Sequence, residues 1–200
     1  ARNSVPASAD FVLRTENAEA VANEIKAEAE KMGYDAEVNT DNCFVNVHVK
    51  GIGCHAMVPE RGINAVSRAM HLLSALGEKL DCHSFAASYE KYIADDYTGG
   101  LLGCACSDKE SGALTFNPGK ITLENNDVKI LAGIRYPVSK KYETFATCIK
   151  AVAEKMHCEC KIIDHMSPIY FKRDDEVVVL LEKAYRDVTG DDVNQPFTVG

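Results

Sequence analysis

Two spacings of apolar residues alternate along the chain. Residues 9–15 (ADFVLRT) make a short strand pattern. Ala18, Val21, Ala22, Ile25, Ala29 and Met32 then recur at helical intervals, and Gly33 offers a helix stop. YDAEVNT and NCFVNVHVKG read as two strands joined around Asp41-Asn42. In the second, Cys43, Val45, Val47 and Val49 share one face while Phe44, Asn46 and His48 share the other. The spacing predicts a helix over 62–76, striped by Ile63, Val66, Met70 and Leu73 and ended by Gly77, and another over 83–94. Residues 95–112 are loop-like, with Gly99, Gly100, Gly103 and Gly112. The stretch 113–138 predicts three strands, punctuated at Asn117-Pro118-Gly119 and Asn125-Asn126-Asp127. Ser139 is expected to cap a helix over 140–156, striped by Tyr142, Phe145, Ile149, Val152 and Met156. CECKIIDH (158–165) reads as a further strand. Asp174 is expected to cap a last helix that ends at Gly190, with Val177, Leu180, Leu181, Ala184 and Val188 inward.

The alternation implies an α+β fold, mainly antiparallel, with helices packed on one face of the sheet. Residues 9–77 and 113–165 look like two variations on one strand and helix sandwich. The helix after Pro168 reads as part of a different body.

Composition narrows the partners. Of 200 residues, 46% are apolar, enough for a substantial core. The net charge is −8, from 22 basic and 30 acidic residues without a basic stripe. That balance suits neither nucleic acid nor an anionic membrane surface. No apolar run approaches the roughly 18 residues that span a bilayer. The start at Ala-Arg-Asn carries no secretory pattern and reads as an excerpt or a processed product. Most of the eight cysteines fall in apolar runs, where a thiol acts as a small hydrophobe. They are expected to be reduced and the protein cytoplasmic.

The most chemical stretch is 51–66, GIGCHAMVPERGINAV. His55 stands on a glycine-rich corner between a strand and a helix. An imidazole there can donate to a developing oxyanion or move a proton near neutral pH, or it can simply face solvent. Gly51 and Gly53 would let that corner relax. Arg135 ends an apolar strand in AGIRYPV, where a guanidinium can hold a carboxylate or pair with a local acid. Asn3, in RNSVPAS, can donate from its amide or form a turn. Of the two C-x-C pairs, Cys104/Cys106 and Cys158/Cys160, the second alternates with Ile162 as a core face does, and no metal site is expected. TGGLLGC lacks the Gly-Lys-Ser/Thr ending of a phosphate cradle. His48 and His71 read as surface residues, His71 on a polar helix face with Ser67 and Ser74. The chain has no Glu-Glu and no His-x-Asp, so any hydrolytic metal and base must come from elsewhere.

These stretches form a pattern. GIGCHAMVPERGINAV resembles the G-x-x-x-H-A-x-x-P-E-x-G-x-N-A segment of the di-zinc exopeptidases, the family of dipeptidase V, aminoacylases and carnosinases. RNSVPASADFVL, SGALTFNPGKI, ILAGIRYPVS and PIYFKRDDEVVVLLEKAYRDVTG resemble, in order, segments of the dipeptidase V branch, and FTVG resembles the start of its G-G-T-Y-A-R motif. The resemblance implies the lid of a larger zinc dipeptidase. Residues 1–167 would cover the substrate as two ferredoxin-like (βαββαβ-type) lobes, roughly 1–80 and 81–167, and 168–200 would return to the catalytic domain. That domain, with both zinc ions and their ligands, would lie outside the chain. By the same resemblance His55 and Asn3 would stabilise the oxyanion, Arg135 would clamp the substrate carboxylate, and Gly200 would help to hold substrate. The second lobe would stand in for a partner subunit, so a monomer is expected rather than a dimer. Met57 stands where family members often carry a small hydroxylic residue. The alternatives are a non-catalytic module that binds amino acids or other small molecules, and a purely structural or dimerising domain.

Overall fold

The computed structural model describes residues 3–124 and 127–194. It is α+β, with five helices and small antiparallel sheets among the described residues. The first body begins with β1 (Ser8–Arg14), α1 (Ala18–Met32), β2 (Ala36–Asp41) and β3 (Phe44–Lys50). Both outer strands pair antiparallel with β3, in the order β1-β3-β2. Strand alternation sends Val45, Val47 and Val49 inward, and all three are buried. They meet Ala18, Ala22, Ile25 and Ala29, which the helical repeat places on one face of α1. Gly33 ends α1 in the left-handed region at φ 69°, and Tyr34 N–H closes back onto the Ala29 carbonyl at 2.8 Å.

Helix α2 (Ala65–Leu76) lies between two cores. Ala69, Leu72 and Leu76 complete the first core, while Met70 joins the second. The single stripe predicted for this helix is therefore too narrow: it is covered on two sides. Its start lies at Ala65, with the Asn64 side chain accepting from Val66 N–H at 2.9 Å and Ser67 N–H at 3.2 Å.

After α3 (His83–Tyr92) comes the strand pair β4 (Ser107–Asp108) and β5 (Gly112–Ala113), and the second core gathers α3, the hairpin β6 (Thr115–Glu124) and β7 (Asp127–Arg135), and α4 (Tyr142–Lys155). Tyr89, Leu114, Phe116, Phe145 and Val152 are buried there.

Several expectations need correction. Asn117-Pro118-Gly119 makes no turn. It lies inside β6, where the register slips between Pro118 and Lys120. Proline lacks a ladder N–H, and a bulge is where a strand tolerates it. Asn125 and Asn126 lie outside the described residues. Residues 158–165 pair with no strand; Cys158 and Cys160 are half-buried, and Ile163 is exposed. A strand needs a neighbour for its backbone groups, which alternation alone does not supply. The segment is tied instead by His165, whose ring stacks on Tyr142 at 3.8 Å and meets the Tyr136 hydroxyl at 2.7 Å. Ser139 does not cap α4; its N–H donates to Asp108 at 3.0 Å. Asp175, not Asp174, precedes α5 (Glu176–Thr189).

Neither lobe completes a βαββαβ unit among the described residues. The first has three strands and two helices before the chain turns into α3, and the second has two hairpins and α4.

Candidate functional site

Residues 3–7 and 51–56 lie side by side as a short antiparallel ladder beyond the first sheet. Gly51 N–H donates to Ala7 O at 2.8 Å, Val5 N–H to Cys54 O at 2.9 Å, and Ala56 N–H to Asn3 O at 3.0 Å, with Ser4 opposite His55. The glycine at 51 serves close approach rather than a loosened corner. A Cβ there would lie 2.2 Å from the Ile63 carbonyl oxygen and 2.9 Å from Ala65 N.

The ladder brings Asn3 and His55 onto adjacent strands. It does not put their side chains together. Alternation gives His55 the face of Ser4, and Asn3 that of the buried Ala56. Asn3 lies in a turn past the bridge and is exposed.

His55 is exposed and locally held. Met57 N–H donates to its Nδ1 at 3.2 Å, and Val58 N–H donates to its carbonyl at 3.0 Å. An amide donating to Nδ1 requires a lone pair there, so the ring proton sits on Nε2. The imidazole thus presents an N–H outward.

Arg135 is the last residue of β7, opposite Thr115, and half-buried. It lines a cleft of about 380 Å³ together with Met57, Val58, Glu60, Tyr97, Thr98 and Thr115. The loop that follows His55 and the end of β7 therefore border one space. Ser111, also in the lining, donates its N–H to Asp108 at 2.6 Å, and Ser139 N–H donates to the same carboxylate at 3.0 Å. Gly200 lies outside the described residues.

A second cleft, about 250 Å³, opens between the bodies and is lined by Tyr34, Asn64, Arg68, Asp95, Asp96 and Asn117 among others. Beside it lies a cluster that the sequence reading placed on the surface. His71 is mostly buried; its Nδ1 meets the Tyr34 hydroxyl at 2.6 Å, and its Nε2 lies 3.6 Å from Glu90 and 3.7 Å from Asp95. Ser67 is buried and bonds Tyr89 at 3.0 Å. Burial pushes the Glu90 carboxyl above its ordinary range, against the opposing pull of His71. Burial also opposes the charge of Asp96, yet bonds from Thr98 and Leu101 outweigh it and hold its carboxyl below the usual range. A helix pattern cannot report that its polar face meets another helix, so no sequence signal marked this cluster.

The eight cysteines are unpaired, and burial pushes the Cys104 thiol up to about 12. Among the described residues no group of three or more His, Cys, Asp or Glu could hold a metal ion. The resemblance puts its zinc pair outside the chain, and the described residues offer no set of ligands for it. No helix among the described residues is long and apolar enough to cross a membrane.

Residues 42–132 match the family of the M20 peptidase dimerisation domain. His55 falls inside that stretch; Asn3 and Arg135 fall outside it. The chain is 29% identical over 167 residues to a protein of Staphylococcus saprophyticus subsp. saprophyticus named "Putative dipeptidase", covering 83% of this chain and 35% of that protein. It is 26% identical over 200 residues to a protein of the same description from Staphylococcus aureus strain MW2, covering 99% of this chain and 42% of that one. The chain therefore spans less than half the length of these curated relatives. The matching domain is named for dimerisation, which points to involvement in a dimer and lends no support to the expected monomer. Residues 42–132 thus match an M20 peptidase dimerisation domain, within a chain distantly similar to the staphylococcal proteins named as putative dipeptidases.

Proposed function

We propose that this chain is the substrate-covering part of a cytoplasmic zinc dipeptidase, with residues 1–167 as the lid and 168–200 returning to a catalytic domain beyond it. The metals and the attacking water belong to that domain. The lid's work is to bind and orient. Arg135 clamps the C-terminal carboxylate of a dipeptide, which sets how much peptide fits. His55 donates from Nε2 to the oxygen of the scissile carbonyl as it gains charge. Both act only when the two bodies close over substrate.

The observation that carries this reading is the shared cleft: the backbone just past His55 and the guanidinium-bearing end of β7 line one space. A carboxylate clamp and an oxyanion donor must flank the same short substrate, and the shared cleft supports that reading.

The test compares a dipeptide with its C-terminal amide in the full-length protein. Hydrogen bonds to a charged group are worth about 1.5–3 kcal/mol, so Arg135→Ala should lower kcat/KM for the free acid roughly 10- to 100-fold. Turnover of the amide should hardly change. Equal losses on both substrates would remove the clamp from the account.

A further inference from the structure

Asn117 is a buried polar residue at the bulge of β6, 2% exposed. Its Nδ2 donates to the Ser4 carbonyl at 3.0 Å, and its Oδ1 accepts from Asn64 Nδ2 at 3.4 Å. Asn64 Nδ2 also donates to the Pro118 carbonyl at 3.0 Å, while Asn64 Oδ1 accepts the first free amides of α2. The backbone partners fix the orientation of both amides. A carbonyl at Ser4 demands the NH₂ of Asn117, and amides at Val66 and Ser67 demand the oxygen of Asn64.

Ser4 is the residue opposite His55 in the ladder. Asn117 sits two positions along β6 from Thr115, which faces Arg135 across the hairpin. One side chain thus joins the ladder that carries His55 and Asn3 to the hairpin that carries Arg135. The bulge supplies the reason for its place. The ladder register slips between Pro118 and Lys120, and the Pro118 carbonyl beside the slip accepts from Asn64.

We infer that Asn117 is a positioning residue that sets the ladder bearing His55 against the hairpin bearing Arg135. It touches no substrate and acts through the Ser4 strand. Its effect on turnover rests on the dipeptidase reading; its effect on the ladder does not.

The two are separated by measuring two things on the full-length protein. Asn117→Asp keeps the shape and removes the donor; Asn117→Ser keeps a donor with shorter reach. Hydrogen exchange at the Val5 and Ala56 amides should quicken at least about tenfold in Asn117→Asp and less in Asn117→Ser, while the β3 amides of Val45–Val49 keep their wild-type rates. Should Asn117→Asp not fold, Asn117→Ser alone decides. Unchanged ladder exchange, or an equal rise in β3, overturns the inference. For turnover, Asn117→Asp should lower kcat roughly 10- to 100-fold, the cost of a misplacement near 1 Å. The double variant with His55→Ala should lose no more than His55→Ala alone. Additive losses would show that Asn117 does not act through His55. If His55→Ala costs nothing, the dipeptidase reading fails while the exchange result still judges Asn117.

Discussion

Helices α2 and α5 are both amphipathic and of similar length, 12 and 14 residues, yet their fates differ. Helix α2 buries seven residues, Ala65, Val66, Ser67, Ala69, Met70, Leu72 and Leu76. Helix α5 buries none, and Leu180, Leu181 and Val188 stand in the open at 59, 66 and 85% exposure. Periodicity gives a helix an apolar side; only its surroundings decide whether anything covers it. Helix α2 has a sheet on one side and a second core on the other. Helix α5 belongs to a stretch aligned over 99% of this chain with relatives of which the chain covers 42%, so most of the relatives' length has no counterpart here. In the proposed reading, that missing body covers α5.

Substitutions along these helices break or sharpen the contrast. The largest effect is expected at Leu72, which is 1% exposed between α1 and the sheet. Truncating a buried leucine loses transfer energy and leaves a cavity, so Leu72→Ala should cost about 2–5 kcal/mol in urea unfolding. A smaller effect, in slope rather than midpoint, is expected on the polar side of α2. The Glu90 carboxyl near His71 is raised by burial, so its contribution is fully present below its ordinary value of 4.5 and lost as pH rises through the raised one. Glu90→Gln should flatten that decline above about pH 4.5 in urea midpoints taken across pH. The smallest is Leu181→Ala in the 200-residue chain, expected within about 0.5 kcal/mol. In the full-length protein the same change should cost roughly 2 kcal/mol or more if another body buries the helix. An equally small cost there would end the idea that α5 docks.

What could be read in advance follows the same division. Local spacing is a property of the chain, so α1, its stop at Gly33, β3 and the stripe of α4 were legible. Pairing is a property of neighbours. Residues 158–165 alternate well and form no strand, and Pro118 looks like a turn signal but sits at a bulge. Ser67 and His71 look solvent-facing because nothing in their own helix announces α3. At the site, the chemistry of His55 and Arg135 could be named from residue type and resemblance. The cleft bordered by Arg135 and the loop after His55 depends on a ladder and a hairpin more than fifty residues apart in sequence. Gly51 was read as slack and is instead the point where no side chain fits.

The most direct test of the account is the turnover of a dipeptide by the full-length protein carrying His55→Ala. Removing one oxyanion donor costs about 10²- to 10³-fold in kcat, and the account predicts a loss of that size with the thermal transition unmoved. Wild-type kcat in a folded His55→Ala protein would contradict it.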